Sequence, residues 1–251
     1  MPDNKINLAF ALGLSPENAM QYFQSKGYAF SWDWRDLFQS EHDKAFTVAK
    51  MTKLDLLMDV RGMVDDAIAG NITPREFYLS LEEKLKEKGW WGKQDLFNPV
   101  TGELETVQLG SPRRMKTILE TNMNVSYSAG RFKTQLDAAS FAPWWRYRSA
   151  NDDRARLNHK KIGQYFDNAV LHYTSRWWDY WYPPIDWGCR CWIENFTEAE
   201  VEQRGYEKLS GVPDIFGQPA EGWGYNPGKA WAPDLTRYPK ELIKDVGLNL
   251  T

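Results

Sequence analysis

Cysteine is almost missing: the 251 residues hold two, Cys189 and Cys191, beside three histidines. One intervening residue makes a disulfide between them strained, so a disulfide scaffold is excluded and folding in a reducing cytoplasm is expected. No apolar run is long enough to span a bilayer. The opening Met1-Pro2-Asp3-Asn4-Lys5 lacks a basic segment followed by an apolar one, so no signal peptide is expected. A basic excess is missing too. With 31 Lys and Arg against 34 Asp and Glu the formal charge is −3. That argues against a nucleic-acid coat and leaves only local basic patches. Internal repeats and low-complexity tracts are likewise absent.

Rings are what the chain has in plenty: 13 Trp, 12 Tyr and 12 Phe, which serve interfaces as well as cores. Mean hydropathy is −0.62, polar overall, and the length suits one large domain or two small ones.

Helix signals dominate the first 140 residues. Ser15-Pro16-Glu17 opens a short helix that Gly27 ends. Phe30-Ser31-Trp32-Asp33-Trp34 is an aromatic link expected to dock onto something. From about 41 to 69 a helix is predicted, with Leu57, Val60, Val64 and Ile68 in one stripe and Gly70-Asn71 as its stop. Thr73-Pro74-Arg75-Glu76 combines a capping box with a first-turn proline. Phe77, Leu81 and Leu85 form the next stripe, and Gly89 ends it. Residues 90–109 read as a loop, with turn signals at Asn98-Pro99 and Thr101-Gly102. Gly92-Lys93 lacks the upstream glycine spacing of a phosphate-binding loop.

Ser111-Pro112 starts a long helix with Ile118, Val125, Ala129, Phe132 and Leu136 on one face. It also carries Arg113, Arg114, Lys116, Arg131 and Lys133. These form either a solvated face or a contact for nucleic acid or an acidic partner. His42, near a helix start, reads as a surface residue.

After Pro143 the period becomes two. Trp145 and Tyr147 alternate with Arg146 and Arg148 as in a half-buried strand, and Cys189, Cys191 and Ile193 alternate with Arg190 and Trp192. Thr197-Glu198-Ala199-Glu200 is another capping box, opening a helix that Gly205 ends. From Gly211 the chain is rich in Gly, Pro and rings and is expected to lie extended over a surface, with Trp223, Tyr225 and Trp231 anchoring a partner. The expected plan is α+β: a docking segment (1–40), a helical region (41–140), a small α+β module (141–205) and an extended tail (206–251).

The densest polar set lies between Asp152 and Cys191. Asp152 is expected to pair with Arg154 or Arg156 in a turn. Trp177, Trp178, Trp181 and Trp187 read as packing residues. No cofactor is expected. The alternative is zinc held by Cys189, Cys191 and His159, with Asp152 or His172 as fourth ligand. An enzyme using His159 with Asp152 or Cys189 is the rival of another class, although no third orienting group is identifiable. A DNA-binding module on the 112–136 helix is the second rival.

These residues together resemble the phage Mu F-like head morphogenesis (minor head, or minor capsid) proteins. The resemblance rests on Asp152-Asp153-Arg154-Ala155-Arg156, His159, Gly163 and Phe166, Trp178 or Trp181, Pro183-Pro184, Trp187 and Gly188-Cys189-Arg190-Cys191, in that order. Trp32-Asp33-Trp34-Arg35-Asp36, Gly89-Trp90-Trp91-Gly92, Leu109-Gly110-Ser111-Pro112-Arg113 and Tyr225-Asn226-Pro227-Gly228 extend it. The chain departs from the pattern at Leu157-Asn158 and between Asp167 and Arg176. The resemblance implies a non-enzymatic virion component, assembled in the host cytoplasm and incorporated at low copy into the prohead near the portal vertex. The implied partners are portal protein, major capsid protein and packaged double-stranded DNA, with no membrane and no small-molecule substrate.

Overall fold

The computed structural model describes residues 16–37, 41–229 and 231. It begins with α1 (Pro16–Ser25), then β1 (Gly27–Tyr28), a 3-10 turn (Trp34–Asp36), α2 (Glu41–Lys44) and β2 (Ala45–Phe46). β2 pairs in parallel with β1. Next come α3 (Leu54–Ala69), α4 (Pro74–Glu87), the hairpin β3 (Lys93–Phe97) and β4 (Leu104–Gln108), and the long α5 (Pro112–Asp137).

The stripes predicted for α3 and α4 are the core: Leu57, Val60, Val64, Ile68, Phe77, Leu81 and Leu85 are wholly buried. Each such side chain contributes about 1.5–3 kcal/mol by leaving water. Gly70, at φ 78, closes α3, and the Thr73–Glu76 capping box opens α4. α5 is the common wall. Tyr127 on it donates to the Ile68 carbonyl at 2.8 Å, a group left free at the end of α3. α1 crosses α5 closely, because a Cβ on Gly130 would sit 3.0 Å from the Ala19 nitrogen.

Four expectations for this half change. The helix predicted from 41 to 69 is two, because Ala45 and Phe46 pair with β1 and Lys50 turns the chain at φ 65. Residues 90–109 are a hairpin. Only alternate residues touch the core, among them Leu96 and Val107, so the apolar signal was thin. Asn98 shapes its turn, its side-chain oxygen accepting from the Val100 and Thr101 nitrogens. Leu136 is 46% exposed. Gln135 takes the inner position instead, its amide bonding the Ile193 carbonyl and the Tyr182 hydroxyl. His42 is half-buried, and burial lowers its pKa.

The second half contains β5 (Trp144–Arg148), α6 (Leu157–Tyr165), β6 (Ala169–His172), α7 (Trp178–Trp181), β7 (Trp192–Phe196), α8 (Glu198–Arg204) and β8 (Glu207–Leu209). The sheet order is β7-β5-β6-β8. β5 is antiparallel to β6 and β7, and β6 is parallel to β8. With the helices before it, this makes the fold α+β.

Trp145 and Tyr147 are fully buried in a core of rings with Phe132, Phe166, Trp178 and Tyr182. The alternating Arg146 is buried as well. Its guanidinium pairs with Glu194 at 2.7 Å and lies against the rings of Phe196 and Tyr206. β5 is therefore covered on both faces rather than half-buried.

The expectation for the aromatic tail is corrected. Trp223 and Tyr225 are buried, Trp223 with Tyr22, Val125 and Ala129 between α1 and α5. Trp231 packs edge-on to Tyr22. These rings anchor the chain to itself, because the groove between α1 and α5 would otherwise be bare. The aromatic link docks there too: Trp34 and Trp223 both pack on Trp187, and Arg35 pairs with Glu221 at 2.9 Å.

Candidate functional site

The turn after β5 and the segment before β7 build the site. Gly163 on α6 permits the approach, since a Cβ there would stand 2.9 Å from the Ser149 Cβ. Asp152 accepts from the Arg154 backbone nitrogen at 3.1 Å, as a turn aspartate does, but its main partner is more distant in sequence. It receives both Arg190 nitrogens at 2.6 Å, while the Arg154 guanidinium stays 3.9 Å away. Arg190 holds the Asp152 carboxyl well below the usual carboxylate range. Arg156 reaches Asp186 at 2.9 Å and donates to the Trp187 carbonyl. A bidentate guanidinium fixes orientation as well as distance. These two arginine–carboxylate pairs thus staple the 186–191 segment onto the 149–156 turn.

The stapled segment delivers the cysteines to His159. The Nδ1 atom lies 3.3 Å from the Cys191 sulfur and 3.6 Å from the Cys189 sulfur. On its other side, Nε2 stands 4.0 Å from an Asp186 oxygen. His159 and Cys189 are buried, and Cys191 is partly so. Both cysteines precede β7 instead of lying in a strand, although Cys-x-Cys still turns both sulfurs to one side. Gly188, at φ 64, makes the turn into them. Pro183-Pro184 is a cis pair over α5, and the Pro183 carbonyl accepts from the Ser128 hydroxyl. A cavity of about 50 Å³ separates α5 from this segment, lined by Tyr127, Ser128, Arg131, Cys189 and Cys191.

Burial pushes the Cys189 thiol up, while hydrogen bonds, first of all from Cys189, bring Cys191 down. Neither suggested fourth ligand is in place. Asp152 is engaged by Arg190, and His172 bonds Thr174 beside Trp144. Asp186 is the third group that the sequence did not reveal for a Cys–His pair. At 4.0 Å from Nε2 it is beyond hydrogen-bond reach, and its nearer partner is Arg156.

The five cations of α5 do not form one face. Arg114 turns inward, donating to the carbonyls of Gln108, Leu109 and Ala49 and stacking on Trp90. Arg131 donates to the Ile193 carbonyl at 3.0 Å. Lys116 and Lys133 pair with Glu120 and Asp137 on the same helix. Arg113 borders a wide cleft that Trp34, Trp187 and Tyr225 also line. Of the surface expected for nucleic acid, Arg114 and Arg131 are engaged by backbone carbonyls, while Arg113, Lys116 and Lys133 stay at the surface.

A further polar group escaped the sequence reading. Tyr22 donates to buried Asp43, and Lys26 donates to the His42 carbonyl at 2.7 Å. Burial pushes Asp43 up to about 7 and Lys26 down to about 8. The i,i+4 spacing of Tyr22 and Lys26 was the available signal, but nothing in the sequence placed Asp43 beside them.

The family model for "Phage Mu protein F like protein" matches residues 60–194, which include every residue of the His–Cys cluster and its two staples. A protein of Escherichia phage Mu named "Putative capsid assembly protein F" is 34% identical over 259 aligned positions, 92% of this chain and 58% of that protein. The Mu-like prophage FluMu F protein of Haemophilus influenzae is 41% identical over 175 positions, 70% of this chain and 40% of its own length. The chain thus spans about half the length of these curated relatives. No solved structure matches. The matched core and the identity carried across nearly all of the sequence place this chain in the phage Mu protein F-like family.

Proposed function

We propose that the chain acts in head morphogenesis of a tailed phage, as a low-copy protein built into the prohead. Its proposed partners are the portal and major capsid proteins and packaged double-stranded DNA, and its place is the virion head. The observation that carries this reading is the likeness, over 92% of the chain, to a phage protein named for capsid assembly. The site agrees with a structural role. Its charged residues are spent on stapling one segment to another.

The partner surface moves from the aromatic tail to the β3–β4 hairpin. Phe97, Val100 and Leu104 are 71%, 79% and 60% exposed there, an apolar tip suited to a protein partner. Among the described residues no helix is long and apolar enough to cross a membrane.

Quantitative mass spectrometry of purified proheads and mature virions tests the reading. A few copies per particle are expected. Absence from both particles with abundance in the lysate overturns it.

A further inference from the structure

We infer that His159, Cys189 and Cys191 bind one zinc ion. The three donor atoms lie within 4.8 Å of one another. In a tetrahedral site with Zn–N near 2.0 Å and Zn–S near 2.3 Å, a nitrogen and a sulfur ligand stand about 3.5 Å apart. The two Nδ1–Sγ separations here are 3.3 and 3.6 Å, so the ligands already span two edges of such a tetrahedron.

Two groups outside the ligand set stand beside it. A metal-bound imidazole commonly turns its other nitrogen to a carboxylate, which fixes the ring and its tautomer. Asp186 is the carboxylate on the Nε2 side, but at 4.0 Å and held by Arg156 it is beyond hydrogen-bond reach, so the donor geometry carries the inference. The Tyr147 hydroxyl is buried next to Cys191 yet makes no hydrogen bond of normal geometry. Zinc keeps a cysteine as thiolate, a stronger acceptor than a thiol for the hydroxyl that already faces Cys191.

Three protein ligands leave one coordination position for water. The ion would tie α6 to the entry of β7, alongside the two arginine staples. This inference is independent of the proposed role in the head.

The test uses the full chain, purified reduced and without chelator, and then exchanged into cobalt. About one zinc per chain is expected. Cobalt should give a thiolate charge-transfer band in the near ultraviolet together with the visible bands of a tetrahedral ion. Cys191→Ala should lose the charge-transfer intensity of one thiolate. Asp186→Asn, outside the ligand set but part of the Arg156 staple, should weaken zinc binding while leaving the cobalt thiolate band in place. If Cys191→Ala fails to fold, the cobalt spectrum of the unaltered chain decides the matter. A folded chain that carries no zinc, gives no thiolate band with cobalt and reacts at Cys191 with a thiol reagent at the same rate with or without metal overturns the inference.

Discussion

The two cores of this molecule are made of different material. Under α3 and α4 the packing is largely aliphatic, with Leu56, Leu57, Val60, Val64, Ile68, Leu81 and Leu85 in regular helical rows. Beside the sheet it is aromatic, with Trp145, Tyr147, Phe166, Trp178, Trp181 and Tyr182 meeting mostly edge to face or tilted. Aliphatic rows depend on a repeat of three and four, which any helix supplies. Ring clusters depend on particular angles between elements distant in sequence. The aliphatic core should tolerate volume-conserving exchange, and the aromatic one should not.

Single truncations probe this difference first, and carry the largest expected effects. Trp145→Ala should cost about 3–5 kcal/mol and Leu57→Ala about 2–5 kcal/mol by chemical denaturation. Because α5 walls both cores, each variant should still unfold in one transition. Two separable transitions would show that the cores are independent. The exchange Leu57→Met should cost less than about 1.5 kcal/mol, whereas Trp178→Phe should cost more than Leu57→Met.

Gly163→Ala is expected to be next in size. Pushing a methyl group against Ser149 should cost about 1–3 kcal/mol. Ser149→Gly should recover part of it in the double variant, and a double variant as unstable as the sum of the two singles would remove the close-approach explanation.

The buried polar group under α1 distinguishes the helical half by pH. Asp43 keeps its proton longer when folded than when unfolded, so its contribution is full at low pH and is lost as pH rises from about 4 through about 7. Asp43→Asn should flatten that fall in melting temperature, and an unchanged slope would assign it elsewhere. Smallest of all, Lys116→Ala should change stability by no more than about 0–1 kcal/mol, because its pair with Glu120 is solvent-exposed.

Local signals were legible in the sequence because they act within one turn. The capping boxes at Thr73 and Thr197, the Ser111 cap and the stops at Gly70 and Gly205 all stand where they were read. The ordered residues of the Mu F-like signature located the site, and His159 does meet both cysteines. Partners chosen across distance were not legible. Asp152 keeps a backbone bond and a loose 3.9 Å ion pair with Arg154, yet its two-point partner is Arg190, 38 positions away. Arg114 and Arg131 looked like part of a charged stripe, yet they satisfy backbone carbonyls on other elements. Trp223 and Tyr225 read from sequence as available to a partner, but Trp223 fills the groove between α1 and α5 and Tyr225 is buried as well.

α5 runs 26 residues, about 39 Å at the rise of an α-helix, and serves both cores along its length. A genetic crossover inside it would join half of one aliphatic wall to half of a foreign aromatic one. Exchange between related genes should therefore be tolerated at the exposed β3–β4 turn and selected against throughout Pro112–Asp137.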